Sequence, residues 1–346
     1  MTRRDALGTF AGAPALFAAE PKARIKVGQI GTTHAHATKM SVYRESADYE
    51  VVGVVEPDAD ARKRAEATPA FKGVKWITRE ELLGTPGLQA VLVETPVRDL
   101  LDNAEACVNA GMHVHIDKPA GASFPQFRRI LDTAAKKKLM VQMGYMYRYN
   151  PGVVLLREFL KNGWLGEVFE VHAVMSKVVD PASRKKLAEF KGGIFFELGC
   201  HVLDLVVGIL GKPERIASVI RHSATDDTLM DNMLGVLSYP KAIATLKSSA
   251  IEVNGGDRRQ LTVCGTEGTF HIQPLDDPSA RVSLLKPRGN YKAGVNEIKF
   301  PKYVRYGDDA ADMAKVIRGE KKSGFPPSHD AAVQETLLKI CEMPLA

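Results

Sequence analysis

Two stretches of this 346-residue chain hold side chains that could move protons. The first is Gly192-Gly193-Ile194-Phe195-Phe196-Glu197-Leu198-Gly199-Cys200-His201-Val202-Leu203-Asp204. On a helix, residues 197, 201 and 204 fall on one stripe by the i, i+4, i+7 rule. A carboxylate one turn from an imidazole can orient the ring and stabilise its charged form, which suits general acid–base work. A salt bridge on a helix surface has the same spacing, and that reading stays open. The second stretch is His113-Val114-His115-Ile116-Asp117-Lys118-Pro119-Ala120-Gly121. Its apolar residues read as a buried strand, and ligands of open α/β sheets bind where such strands end. Lys118 should therefore project into a cleft, although a lysine is usually a solvated surface charge. His113 and His115 share a strand face, but spacing places no third ligand beside them, so no metal is expected.

A third stretch, Gly28-Gln29-Ile30-Gly31-Thr32-Thr33-His34-Ala35-His36, has the position of a nucleotide turn. A dinucleotide fingerprint places glycines between the first strand and its helix, where backbone must approach a pyrophosphate. Gly31 keeps the register of G-x-G-x-x-G, while Thr33 and His36 stand at the other two glycine positions. The candidate cofactor contacts here are Gly28, Gly31, Thr32, Thr33 and His34. Glu56 ends the following strand, where an acidic side chain accepts hydrogen bonds from the adenine ribose and repels a 2′-phosphate. NAD is thus expected over NADP. A tight turn that binds no nucleotide is the alternative.

Alternating elements must position these groups. Short apolar runs at Ile25–Ile30, Val51–Val55, Val74–Ile77, Ala90–Val93, Val114–Ile116 and Leu139–Met143 read as strands. Helical stretches lie between them: one from Gly31 to about Ser46, then Asp58–Ala67, Leu100–Ala110 and Phe124–Lys138. Strand–helix alternation of this kind builds a doubly wound parallel sheet of Rossmann type. After about Asn150 the pattern changes. Helices are expected at Val153–Lys161 and Phe196–Leu210. Longer strands follow the first of these, at Glu167–Met175, Arg215–Arg221, Met233–Tyr239, Ala242–Ala250 and Gln260–Cys264. Their tight turns suggest a mostly antiparallel sheet. Two further helices, Asp308–Arg318 and Asp330–Glu342, close the chain. The expected division is a dinucleotide-binding domain over 22–145 and a substrate-binding, oligomer-forming α/β domain over 146–346.

Composition excludes several classes. Hydrophobic residues make up 45% and charged residues 25%, ordinary values for a globular protein. No apolar run approaches the roughly 18–20 residues that span a bilayer. The net charge of +6 comes from 47 Lys and Arg against 41 Asp and Glu. Its clusters, Lys136–Lys138, Arg184–Lys186 and Lys321–Lys322, are short and lack interleaved aromatics, so nucleic acid is not an expected partner. The four cysteines form no CxxC pair. Met1–Pro21 has two arginines, an alanine-rich stretch and small residues before Glu20, the layout of a secretory signal. Arg3–Arg4 resembles a twin-arginine address. Residues 1–19 are expected to be a signal peptide cleaved near Ala19, or else after Ala15, which makes the mature protein periplasmic or secreted.

The order of these motifs resembles the Gfo/Idh/MocA oxidoreductases. The resemblance rests on the glycine turn ending in histidines, the Asp117-Lys118-Pro119 strand end and the Gly192–Asp204 helix. It extends to Gly144–Pro151, Gly163–Val168 and Cys264–Gly268, and covers about residues 24–343. It implies a Rossmann domain followed by an α/β domain with an open, mostly antiparallel sheet, assembled as a dimer or tetramer. It also implies bound NAD(P) and a sugar or polyol substrate oxidised or reduced at a hydroxyl. By motif, Lys118 matches the catalytic lysine, which also lies beside the cofactor, with Asp117 in place of a glutamate. His201 matches the proton-transferring histidine, and Glu197 replaces the aspartate that supports it. Thr95 and Pro96 match the turn after the fourth strand, near the nicotinamide. Because a periplasm holds no pyridine-nucleotide pool, the cofactor is expected to be loaded before export and recycled internally. Two other readings are an NAD-dependent glycosidase that works by transient oxidation and elimination, and a non-catalytic nucleotide- or sugar-binding protein.

Overall fold

In the computed structural model, residues 22–224 and 226–346 are described. The expected signal segment lies outside them. The first half alternates β1 (Ile25–Ile30), α1 (Met40–Glu45), β2 (Tyr49–Val55), α2 (Ala59–Glu66), α3 (Arg79–Leu83), β3 (Leu88–Val93), α4 (Val97–Asn109), β4 (His113–Ile116), α5 (Phe124–Lys136) and β5 (Val141–Met143). Its five strands pair in parallel in the order β2-β1-β3-β4-β5. The chain winds one way from β1 to β2 and the other way from β3 onward, so a crevice opens beyond the ends of β1 and β3. Gly31 stands at that point with φ +87, and a Cβ there would lie 2.6 Å from the backbone nitrogen of Thr95. Only glycine lets the two strand ends approach so closely.

Two expectations for this half need correction. Val74–Ile77 is not a strand: it makes a single bridge, Val54 to Trp76, because a capping box at Thr78 and Glu81 draws the chain into α3. Thr95 and Pro96 therefore follow the third strand in sequence, not the fourth. Nor does a helix begin directly after Gly31. Residues 31–36 form an irregular turn, a short 3₁₀ turn follows at Ala37–Lys39, and α1 starts at Met40.

The second half contains α6 (Pro151–Lys161), β6 (Val168–Val174), α7 (Pro181–Leu187), a single π-type turn at Phe195–Gly199, α8 (Cys200–Leu210), and β7 (Arg215–Arg221) through β13. The remaining strands are β8 (Asn232–Ser238), β9 (Ile243–Ser249), β10 (Gln260–Gly265), β11 (Gly268–Ile272), β12 (Ser279–Leu284) and β13 (Gly294–Lys299). They form one sheet in the order β13-β12-β11-β10-β6-β9-β8-β7, antiparallel except at β6–β9. Strand alternation gives this sheet two unlike faces. The cross-strand row Leu237, Ala244, Val171, Val263, Phe270 and Val282 is fully buried. The opposite face exposes Val219, Val236, Ile243 and Val295.

Two final helices tie the halves together. In α9 (Gly307–Ile317), Ala310, Met313 and Ala314 share a core cluster with Ile25, Val27, Tyr43 and Tyr49 of the first half. Helix α10 (Pro327–Ile340) packs on both α5 and α8. No described helix is long and apolar enough to cross a membrane.

Candidate active site

The chemistry-bearing residues converge where the ends of β3 and β4 meet α8. Lys118, just beyond β4, is 1% exposed. Its Nζ donates to Glu197 Oε1 at 2.6 Å and to the Glu197 carbonyl at 2.8 Å. Burial works against both charges, but each outweighs it for the other: Lys118 is held above the usual lysine range and Glu197 down at about 2. The expected support of His201 by Glu197 is therefore corrected. The Glu197 carboxylate goes to an ammonium ion, a stronger partner than a neutral imidazole, and His201 Nδ1 is buried without a partner. The Asp204 carboxylate likewise serves other partners than His201. It takes Arg148 Nη2 at 2.5 Å and His329 Nε2 at 3.0 Å, and Arg148 bridges on to Asp330 at 2.6 Å. That buried ion cluster fixes α8, the helix of His201, against α10.

His201 stands among rings. Tyr147 meets it edge-on at 5.1 Å, with Tyr145 at 6.1 Å and His36 at 5.8 Å. Burial first, then Lys118 and His36, hold its pKa well below the usual histidine value. It is a neutral imidazole at ordinary pH, with a lone pair available for a proton. At the rim, Asp276 accepts from Tyr147, from Arg259 at 2.5 Å and from Arg305 at 2.6 Å.

The nucleotide-turn residues divide between the cleft and the core. Gly28 does not face the cleft: a Cβ there would lie 2.3 Å from Leu82 Cδ1, so it makes room for α3 rather than for a ligand. Glu56 reaches back from the end of β2 and accepts from Thr32 N at 2.9 Å and Thr32 Oγ1 at 2.7 Å. Thr33 is exposed. His34 donates from Nε2 to the Lys118 carbonyl at 3.1 Å. Thr95 is buried with its hydroxyl unpartnered, and Pro96 precedes the first turn of α4.

Two residues that spacing did not mark lie at the centre. Lys39 is 1% exposed, and its Nζ lies 2.6 Å from Asp117 Oδ2, 2.8 Å from Glu94 Oε1 and 2.7 Å from His115 Nε2. Glu94 and Asp117 are wholly buried at the ends of β3 and β4. Donor atoms of Glu94, His115 and Asp117 lie close enough together to hold a metal, but the Lys39 ammonium already sits among them. Both acids follow continuous apolar runs, Ala90–Val93 and Val114–Ile116, and that shared strand-end position was the available signal.

These residues fit a nicotinamide dinucleotide. Among the described residues the amides of Thr33 and Ala35 have no acceptor, whereas those of Gly31, Thr32, His34, His36 and Ala37 are all engaged. Free turn amides can receive a pyrophosphate. The buried, unpartnered Thr95 Oγ1, Glu197 Oε2 and His201 Nδ1 await polar groups.

Residues 25–145 match the oxidoreductase family with an NAD-binding Rossmann fold, and residues 153–271 match the GFO/IDH/MocA C-terminal domain. The chain belongs to the GFO/IDH/MocA oxidoreductase family. It is an oxidoreductase with an NAD-binding Rossmann half, as this family is described. An uncharacterized oxidoreductase of Schizosaccharomyces pombe is 27% identical over 68% of this chain and 66% of its own length. The chain thus spans about two thirds of that relative. Myo-inositol 2-dehydrogenase of Thermotoga maritima is 26% identical over 88% of this chain and 89% of its own. The solved structure of UDP-N-acetylglucosamine 3-dehydrogenase from Acidithiobacillus ferrooxidans shares the fold, with a TM-score of 0.78 at 17% identity, covering 94% of this chain and 99% of that one.

The buried histidines give this member of the family a testable acid response. His115 accepts from Lys39 at Nε2 and donates from Nδ1 to Gln142 at 2.9 Å; burial, then Lys39, lower its pKa to about 3. The unfolded chain binds this proton below about pH 6.5 while the fold refuses it, so wild type loses stability as pH falls. In His115→Gln that loss is absent. Relative to wild type, the variant should gain about 1.4 kcal/mol per pH unit below 6.5. Taking the difference cancels the opposing titrations of Glu94 and Asp309, whose carboxyls burial raises, the latter to about 7. Urea denaturation of both proteins at pH 7, 6 and 5 measures it; a constant gap would contradict a neutral His115.

Proposed function

We propose that this protein is an NAD-dependent oxidoreductase acting on a hydroxyl of a sugar or polyol. The observation that carries this reading is that Lys118, from the first half, is ion-paired with Glu197 and acts on His201, from the second, and that Glu197 Oε2 and His201 Nδ1 are both buried without a partner among the described residues. The bound nicotinamide supplies the acceptor or donor of hydride. The chain's own residues handle the oxygen and its proton. His201, neutral and dry, takes the hydroxyl proton. Lys118, kept cationic by Glu197, donates to the same oxygen and stabilises its developing negative charge. Glu197 acts through Lys118, by holding its charge and its position. Glu56, next to the turn, favours an adenine ribose with a free 2′-hydroxyl and therefore NAD over NADP. The sugar or polyol class draws support from the inositol and aminosugar dehydrogenases that the chain is similar to.

The same reading divides the chain into a nucleotide domain over 22–145 and a substrate domain over 146–346. The apolar side chains exposed on the open sheet face would join copies into a dimer or tetramer. The Arg3–Arg4 segment would send the folded, cofactor-loaded protein to the periplasm or outside the cell, and retention of the cofactor there would make the overall conversion redox-neutral.

Calorimetry with NAD and NADP, followed by single-turnover assays on a panel of sugars and polyols, tests the chemistry. NAD should bind more tightly. His201→Ala should keep that affinity while turnover falls about 10²- to 10⁴-fold. Tighter NADP binding would remove the role of Glu56, and unimpaired turnover in His201→Ala would remove this active site. For export, replacing Arg3 and Arg4 with lysine should retain the chain in the cytoplasm; unchanged export would contradict the twin-arginine route.

A further inference from the structure

A turn missing two fingerprint glycines must be fixed by other means, and here its contacts run to one carboxylate. Asp117 accepts the Lys118 amide at 2.6 Å and His36 Nδ1 at 3.1 Å through Oδ1. Through Oδ2 it takes Lys39 at 2.6 Å and lies 3.3 Å from His34 Nδ1. His36 and His34 belong to the turn, and Lys39 belongs to the 3₁₀ turn just after it. His34 also holds the Lys118 carbonyl, so both the amide and the carbonyl of Lys118 depend on this group. Asp117 is wholly buried, and among the described residues Lys39 is the lysine or arginine side chain within hydrogen-bond distance of its carboxylate. Glu94, on the other side of Lys39, cannot replace it: a second buried carboxyl beside Asp117 adds repulsion or must take up a proton.

We propose that Lys39 is a positioning residue, an internal cation that replaces the missing glycines and fixes the nucleotide turn and Lys118 on the same carboxylate. NAD affinity and the placement of Lys118 are therefore coupled through one ion pair. The charges support this arrangement. Burial opposes the Lys39 charge, but Asp117 and Glu94 outweigh it and hold the ammonium above the usual lysine range. Burial opposes the Asp117 charge as well, but His34, then Lys39 and His36, outweigh it and hold that carboxyl well below the usual range, while burial and then Asp117 push the Glu94 carboxyl well up, leaving it protonated. Lys39 and Asp117 thus form the buried ion pair at the centre of the hub, and removing either alone leaves the other buried and unbalanced.

The inference rests on the NAD reading above, and the test separates the two. NAD affinity by calorimetry and thermal midpoint are measured for wild type, Lys39→Met, Asp117→Asn and the double variant. Wild type that binds no NAD would refute the NAD reading, while the thermal midpoints still decide the role of Lys39. Lys39→Met should weaken NAD binding on the order of tenfold or more and lower the midpoint. The double variant, uncharged but balanced, should lose less than the sum of the single losses in both measurements. That rescue distinguishes a charge partner from a side chain that only fills space. If Lys39→Met does not fold, a folded double variant supports the proposal. Additive losses, a double variant as damaged as Lys39→Met, or NAD affinity and midpoint unchanged in Lys39→Met would overturn it.

Discussion

The ion pair between Lys39 and Asp117 is the constraint on which the site depends. An isolated carboxylate in a protein interior is unfavourable by several kcal/mol, and its geometry is set by whatever neutralises it. Asp117 has no access to water, so the chain must bring a cation to it. That cation comes from the segment that leads out of the nucleotide turn. The turn and the β4 end are thereby fixed to each other by charge, and Lys118, the next residue, inherits its position. A second ion pair, Lys118 with Glu197, then reaches across to the other half of the molecule. The two pairs form a continuous line from the turn through the β4 end to the residues just before α8.

The fold places these pairs where they are effective. The crevice at the β1/β3 switch point collects the ends of three strands, and each contributes an acid: Glu56 after β2, Glu94 after β3 and Asp117 after β4. Their environments assign them different work. Glu56 is partly exposed and holds the turn amide, Glu94 is buried and neutral, and Asp117 is buried and charged. The Arg148–Asp204–Asp330 cluster serves the second half in a similar way by fixing α8 against α10. The last helices close the arrangement, with α9 returning to the first half and α10 bridging α5 and α8. A break in either ion line would therefore be felt on both sides of the cleft.

Much of this was legible in the sequence because periodicity reports burial. The parallel sheet followed from continuous β-branched runs such as Val51–Val55, and the change of pattern after Asn150 marked the second sheet. Lys118 could be singled out because a charged residue directly after a buried strand is unusual. Val74–Ile77 misled because four apolar-rich residues suit a strand as well as a bridging segment, and the Thr78 cap decided between them. The short hairpins of β11–β13 carry only a weak local pattern, although Ser279–Leu284 alternates. Helical spacing alone puts Glu197 and Asp204 beside His201. Spacing could not reveal that Lys118 and Arg148, distant in sequence, would claim those carboxylates. Lys39 was invisible for the same reason, since its partners come from β3 and β4.

The central claim is that two fully buried lysines, 39 and 118, remain cationic because each sits on its own carboxylate. Nitrogen-15 NMR of the side-chain amines in protein labelled at lysine tests this without substrate or cofactor. Two slowly exchanging ammonium signals, assigned by loss in Lys39→Met and Lys118→Met, should persist unchanged from pH 5 to pH 9. A signal from either residue that converts to a neutral amine within that range would contradict the account.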